Sequence, residues 1–164
     1  MLSVNLRFSD VFFTYPTGLD PVIKSLNCEF QSGWTGIVGP NGSGKSTIAG
    51  LACGFFKPDR GFISGIPNRN AFYCSQVSEM IPEFAYEFFY SGENRAGEIC
   101  SLLEIKEDWL ERWHSLSSGE RKRFQIAIPL FLNPYVLVLD EPGNHLDVYS
   151  RKLLLNSIKK FEGI

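Results

Sequence analysis

Nine residues constrain this chain more than any others. Gly39 to Thr47 read GPNGSGKST, which satisfies the spacing G-x-x-x-x-G-K-[ST] between a short apolar run, WTGIVG, and a segment rich in helix formers, GKSTIAGLACGFF. Such a pattern needs a strand, a Gly-rich turn and a helix in succession. Glycines at Gly39, Gly42 and Gly44 let the backbone bend so that successive N–H groups face phosphate oxygens. The helix that follows adds its positive end. Lys45 then offers a full charge to β- and γ-phosphates, and Ser46 offers a hydroxyl to Mg²⁺. An ordinary glycine turn before a helix is the alternative, and it leaves the lysine, the hydroxyl and the flanking strand unexplained together.

The rest of the sequence has to supply a fold around that turn. SVNLRF and SLNCEF alternate apolar and polar residues on either side of the turn-rich TYPTGLDP, which predicts a half-exposed antiparallel layer. GFISG and NAFYCSQ read as two more strands about a polar turn at Pro67 and Asn68. From Val77 to His114 apolar residues fall near helical spacing, predicting a small helical insertion. SSGERKRFQIAIPLFL predicts a capped helix, with Pro129 expected to kink or end it. YVLVLD reads as a strand buried on both faces, and DVYSRKLLLNSIKKF as an amphipathic helix with Leu153, Leu154 and Ile158 inward. Strands alternating with helices predict an α/β fold with a mainly parallel sheet.

Composition excludes several other readings. The 164 residues suffice for about one domain, and sixteen basic against eighteen acidic residues leave a net charge of −2 that points to no polyanionic partner. No direct DNA binding is expected. No apolar run approaches the roughly 18 residues of a membrane span, and MLSVNLRFSD lacks the form of a secretory signal, so a cytoplasmic location is expected. Cys28, Cys53, Cys74 and Cys100 stand far apart, as reduced thiols rather than a metal or disulfide framework.

Hydrolysis of a bound nucleotide needs a second element that holds metal and activates water. Asp140 ends the apolar run YVLVLD, where a carboxylate can reach Mg²⁺, and Glu141 follows as a candidate base. Without the phosphate loop, a solvated turn or helix cap would be the better explanation of the two acids.

At LSSGE, Leu116 to Glu120, the chain resembles the ABC-type ATPases, whose LSGGQ/E signature lies between phosphate loop and acidic strand. GPNGSGKST, YCSQ and VLVLDEPGNHLD occur in the same order, and the resemblance covers nearly the whole chain. Ser118 departs from it, standing where the family has Gly. The resemblance implies a P-loop NTPase with a RecA-like core, an antiparallel β layer and a small helical subdomain. It divides the single domain into residues 1–76 (β layer and P-loop core), 77–115 (helical subdomain) and 116–164 (signature helix, acidic strand and final helix).

The resemblance also implies ligands and roles. ATP and Mg²⁺ are the implied cofactors, with Gly39, Pro40, Asn41, Gly42, Ser43, Gly44, Lys45, Ser46 and Thr47 around the phosphates. Tyr15 resembles the aromatic that stacks on adenine, or else is a strand-end core tyrosine. Gln76 resembles the glutamine that senses Mg²⁺ and the attacking water, so Ser46, Gln76 and Asp140 are the implied metal residues and Glu141, Lys45 and Gln76 the catalytic ones. Ser117 and Gly119 resemble residues that contact the γ-phosphate held by a second ABC domain, so the family's site is completed in a head-to-tail dimer. His145 then reads as a loop or partner contact rather than a proton carrier.

The resemblance also marks an expected gap and leaves three outputs open. The sequence ends at KKFEGI, before the strand and histidine that follow the last helix in the family, so final strands are expected to be missing and the chain alone is expected to bind ATP with weak or no turnover. The first output is a transporter's ATP-binding subunit, peripheral on the inner face of a membrane through a transmembrane partner. For it, IPEFAYEFFYS would be a docking surface or, equally, ordinary helical core. The others are an ABC-F-like factor associated with the ribosome, suggested by NHLD after the acidic strand, and an incomplete nucleotide binder.

Overall fold

The computed structural model describes residues 5–65, 70–76, 79–144, 146–159, 161 and 163–164. The chain divides into two compact units: Met1–Tyr73 with Pro134–Val138 and Glu162–Ile164, and Cys74–Asn133 with Leu139–Phe161.

The first unit is built on an antiparallel layer. β1 (Asn5–Phe13) lies between β2 (Ile23–Gln31) and β3 (Arg60–Ser64) and pairs antiparallel with both. Its sequence, NLRFSDVFF, buries Leu6 and Phe8 and then Val11 and Phe13, so the alternation slips by one residue where the register shifts between Phe8 and Val11. That slip is a β-bulge; without it Val11 and Phe13 would turn to the opposite face. Side chains hold it in place. Asp10, at φ 48°, donates its N–H to Asn27 Oδ1 at 2.9 Å, and Ser25 Oγ donates to Asp10 Oδ1 at 2.6 Å. Against this layer α1 (Lys45–Ala52) packs Leu51 and Ala52, closing a core with Ile23 and Val136.

A parallel pair accompanies the antiparallel layer. β4 (Ala71–Cys74) neighbours β5 (Val136–Leu139). Val136 N donates to Asn70 O and Asp140 N to Cys74 O, so the partners advance in the same direction. On the other edge of β5, Ile164 N donates to Tyr135 O and Leu137 N donates to Ile164 O, both at 2.8 Å, a parallel bridge.

The strand expected at WTGIVG does not form. Residues 34–40 carry no regular structure, and Val38 is 92% exposed. An apolar run becomes a strand only through hydrogen bonds to a neighbour. Gly33 N donates to Gly163 O at 2.8 Å, but among the described residues no strand pairs with 34–40. The turn expected at Pro67 and Asn68 lies outside the described residues.

The second unit is mainly helical. It holds α2 (Ala85–Phe89), α3 (Asn94–Leu103), a 3₁₀ turn (Trp113–Ser115), α4 (Ser118–Leu132) and α5 (Val148–Ile158). Its core is aromatic: Trp109, Trp113, Phe88 and Phe124 are fully buried, with Phe88 and Trp113 meeting Phe124 edge to face. In α5, Leu154 and Ile158 are buried and Leu153 is half-buried.

Pro129, expected to kink or end α4, does not end it. The helix runs on to Leu132, and Asn133, at φ 52°, closes it by donating its N–H to Pro129 O at 2.8 Å. A proline lacks the N–H that the carbonyl four residues earlier would receive. Here that carbonyl is Gln125 O, and the Cys74 thiol donates to it at a sulfur–oxygen distance of 3.9 Å. Burial of the orphaned acceptor is thereby tolerated.

Candidate functional site

The phosphate loop belongs to the first unit. Gly42 and Gly44 adopt φ 79° and 90°, the left-handed region that glycine enters without steric cost. Gly39, Pro40, Asn41, Gly42, Ser43 and Ser46 are exposed, while Gly44 and Thr47 are buried. Gly44 occupies the N-cap of α1, no side chain caps that end, and its first turn holds no acid. The first N–H groups of the helix therefore receive no capping bond from the N-cap side chain, which is the condition for seating an anion. Lys45 Nζ donates to Gly39 O and Pro40 O, at 3.0 Å each, which holds the ammonium group back over the loop. An uncapped helix end beside a tethered cation suits a polyphosphate. The oxygen donors of Ser46 and Asp140 are of the kind that Mg²⁺ takes alongside phosphate.

Tyr15 is tied to the same helix. Its hydroxyl lies 3.0 Å from Thr47 Oγ1, and its ring stands edge-on to Phe13 and Phe56 at 5.0 and 5.4 Å. Phe56 in turn needs Gly50, since a Cβ there would come within 2.5 Å of the Phe56 ring. Packing as a strand-end aromatic accounts for the ring contacts, and the hydroxyl bond sets that ring against α1.

The acidic corner lies in the second unit. Glu141 follows β5 and Asp140 at φ 45°, a left-handed conformation that a glutamate rarely adopts. Gln76 Nε2 donates to Glu141 Oε2 at 2.9 Å, so the structure joins two candidates 65 residues apart in sequence. Asn144 Nδ2 donates to the same oxygen. Beneath Gln76, Lys122 of α4 donates Nζ to Ser75 O at 2.6 Å and to Gln76 O at 3.4 Å. Lys122 is only 5% exposed. Its burial pushes the ammonium pKa down from the usual lysine range, and the charge of Asp140 works against that shift.

The LSSGE stretch opens α4. Ser117 is its N-cap, accepting from Glu120 N at 3.2 Å, while Glu120 Oε2 accepts from Ser117 N at 2.8 Å. This reciprocal pair is a capping box. Burial works against the Glu120 carboxylate, but the hydrogen bonds from Ser117 and the charges of Arg112 and Arg123 outweigh it and hold its pKa below the usual value. Gly119 is buried, with Leu146 Cδ2 and Ser150 Oγ at ordinary contact distance from where a Cβ would stand. Ser118 and Ser117 are exposed. Asp147 caps α5 by accepting from Ser150 N at 2.9 Å.

Sequence reasoning left out Lys122, the hydrogen bond from Asn144 to Glu141 and the capping role of Asp147, having read Asn144 to Asp147 only as a loop resembling one that meets a dimer partner. Asp147 had a signal, an acid directly before a helical run, whereas nothing marks Lys122 as buried. His145 lies outside the described residues, and among those described no group of three or more His, Cys, Asp and Glu could hold a metal by itself. The IPEFAYEFFYS segment divides by face: Ala85 and Phe88 are buried, and Tyr86 and Tyr90 are exposed and stacked at 6.4 Å.

Comparison with known proteins gives concordant matches. The family model described as ABC transporter matches residues 23–144. A Pyrococcus abyssi protein that carries the name of an ABC transporter ATP-binding protein is 35% identical over 183 residues, covering 94% of this chain and 68% of that one. Nod factor export ATP-binding protein I of Rhizobium etli is 31% identical over 182 residues, covering 97% of this chain and 57% of that one. Among solved structures, a bacterial Atm1-family ABC exporter with ATP bound aligns with a TM-score of 0.78 at 26% identity, over 99% of this chain and 34% of that one. The chain thus spans only part of the length of each of these proteins.

Proposed function

The chain belongs to the ABC transporter family, and on that premise we propose that it is an ATP-binding unit that binds Mg-ATP and hydrolyses it once a second ABC domain completes the site. The observation that carries the ATP-binding half is the exposed Gly39–Ser43 loop leading through Gly44 into an α1 N-terminus that no side chain caps. Lys45 exchanges its hold on Gly39 O and Pro40 O for β- and γ-phosphate oxygens. Mg²⁺, when bound, offsets charge on those phosphates, with Ser46, Gln76 and Asp140 as its residues.

Glu141 is the group proposed to accept the proton of the attacking water as the new oxygen–phosphorus bond forms and ADP leaves. The donors Gln76 and Asn144 hold its carboxylate in one orientation, with the acceptor lone pairs they leave over turned to water. Ser117 and Gly119 are proposed to meet the γ-phosphate of the partner domain. To do so Ser117 releases the hydroxyl that it now donates to Glu120 Oε2 at 2.8 Å.

The transporter role rests on similarity. The Rhizobium relative is named for export of Nod factor, and the solved structure is an exporter with ATP bound. These names favour a transporter partner over the ribosome. Among the described residues no helix is long and apolar enough to cross a membrane. Attachment to the inner face of a membrane through a transmembrane partner subunit is part of the same proposal.

Isothermal titration tests the central statement. The chain is expected to bind Mg-ATP, and Lys45→Ala to weaken binding by about ten- to a hundredfold, the worth of a charged phosphate contact. Equal affinity in the variant, or no binding by the wild type, would overturn it.

A further inference from the structure

Lys122 is a buried charge without a carboxylate in hydrogen-bond contact among its described contacts. Holding an ammonium group on a residue that is only 5% exposed is costly unless its donors are met. Its recorded acceptors are two consecutive backbone carbonyls, Ser75 O and Gln76 O, 47 and 46 residues away in sequence. One turn further along α4, Gln125 Nε2 donates to Ser75 Oγ at 3.4 Å, and Gln125 O receives the Cys74 thiol. Lys122 and Gln125 thus clasp the chain at Cys74, Ser75 and Gln76 from one face of the helix that begins at Ser117.

The backbone so held carries the Gln76 carboxamide, which donates to Glu141. We propose that Lys122 is a positioning residue: by fixing the Ser75 and Gln76 carbonyls it sets Gln76 against Glu141, and so couples the position of the signature end of α4 to the corner that handles water and metal. Any shift of α4 moves the Nζ anchor and with it the Gln76 backbone. The inference rests on the nucleotide role proposed for Gln76 and adds the group that orients it.

A double-mutant cycle between Lys122→Met and Gln76→Ala tests this. The readout is the gain in ATP affinity on adding Mg²⁺, measured by titration calorimetry with Mg²⁺ and with chelator. Lys122→Met is expected to reduce that gain about tenfold in the wild-type background, the low end of what a lost charged hydrogen bond is worth. In the Gln76→Ala background it should reduce it hardly at all. An equal loss in both backgrounds overturns the proposal, because a purely structural lysine would act whether or not Gln76 is present. Lys122→Gln keeps a donor without a buried charge, so it serves if the methionine variant fails to fold, and it should keep most of the gain.

A second readout does not depend on nucleotide. The Gln76 side-chain amide signal in ¹H–¹⁵N spectra is expected to shift and its protons to exchange faster in Lys122→Met, and an unmoved signal also overturns the proposal. If the wild type shows no Mg-ATP binding, the functional reading fails while this measurement still decides the role of Lys122.

Discussion

Glu141, the proposed base, is a residue whose backbone is itself unusual. A glutamate at φ 45° is disfavoured by about 1 kcal/mol relative to ordinary conformations, yet it aims a carboxylate that Gln76 and Asn144 both grip. Glu141→Gln is expected to lower turnover about a hundredfold or more in assays with a completing ABC domain, with ATP affinity retained. Phosphate-release and binding measurements on the same sample check the split, and a parallel loss of affinity would count against the role. At this scale the sequence was legible where chemistry forces spacing: Lys45 and Ser46 follow their glycines, and Asp140 and Glu141 end an apolar strand. Lys122 was not legible. A lysine on a helix ordinarily carries its charge to water, and only a pair of carbonyls from a distant loop reverses that expectation.

Helix ends decide how α4 and α5 respond to acid. Glu120 and Asp147 are both held below their ordinary pKa values of 4.5 and 3.8, Glu120 by the Ser117 hydrogen bonds and nearby arginines that outweigh its burial, and Asp147 chiefly by the Ser150 backbone N–H. A depressed carboxylate pKa contributes stability above its unfolded value, and this is lost as pH falls through the folded one. Thermal melts are therefore expected to move down below about pH 4.5 and to depend less on pH in that window in an Asp147→Asn, Glu120→Gln variant. Ser117→Ala, which removes one half of the capping box, is expected to cost about 1 kcal/mol at neutral pH. Elements were legible where periodicity and partner agree. The bulge in β1 is visible afterwards in the spacing of Leu6, Phe8, Val11 and Phe13, but a broken alternation reads as noise until Asn27 is seen to receive the Asp10 N–H. Pro129 misled because its missing donor is answered by Cys74, and WTGIVG misled because strand composition says nothing of a neighbour.

For the whole molecule, the proposed function requires an ATP-bound state shared between two domains. Light scattering of the Glu141→Gln variant is expected to show a shift from monomer to dimer on adding Mg-ATP, reversed when Lys45 is also changed; an unchanged mass with saturating nucleotide would refute it. The chain's three tryptophans divide unevenly: Trp109 and Trp113 are 0% and 1% exposed in the second unit, while Trp34, five residues before Gly39, is 48% exposed in the first. Their emission should therefore come as two populations, a blue one shielded from acrylamide and a red one quenched by it. Trp34 is thus an intrinsic optical probe a few residues before the phosphate loop in sequence, and nucleotide arrival is expected to change the quenchable fraction without a dye being attached.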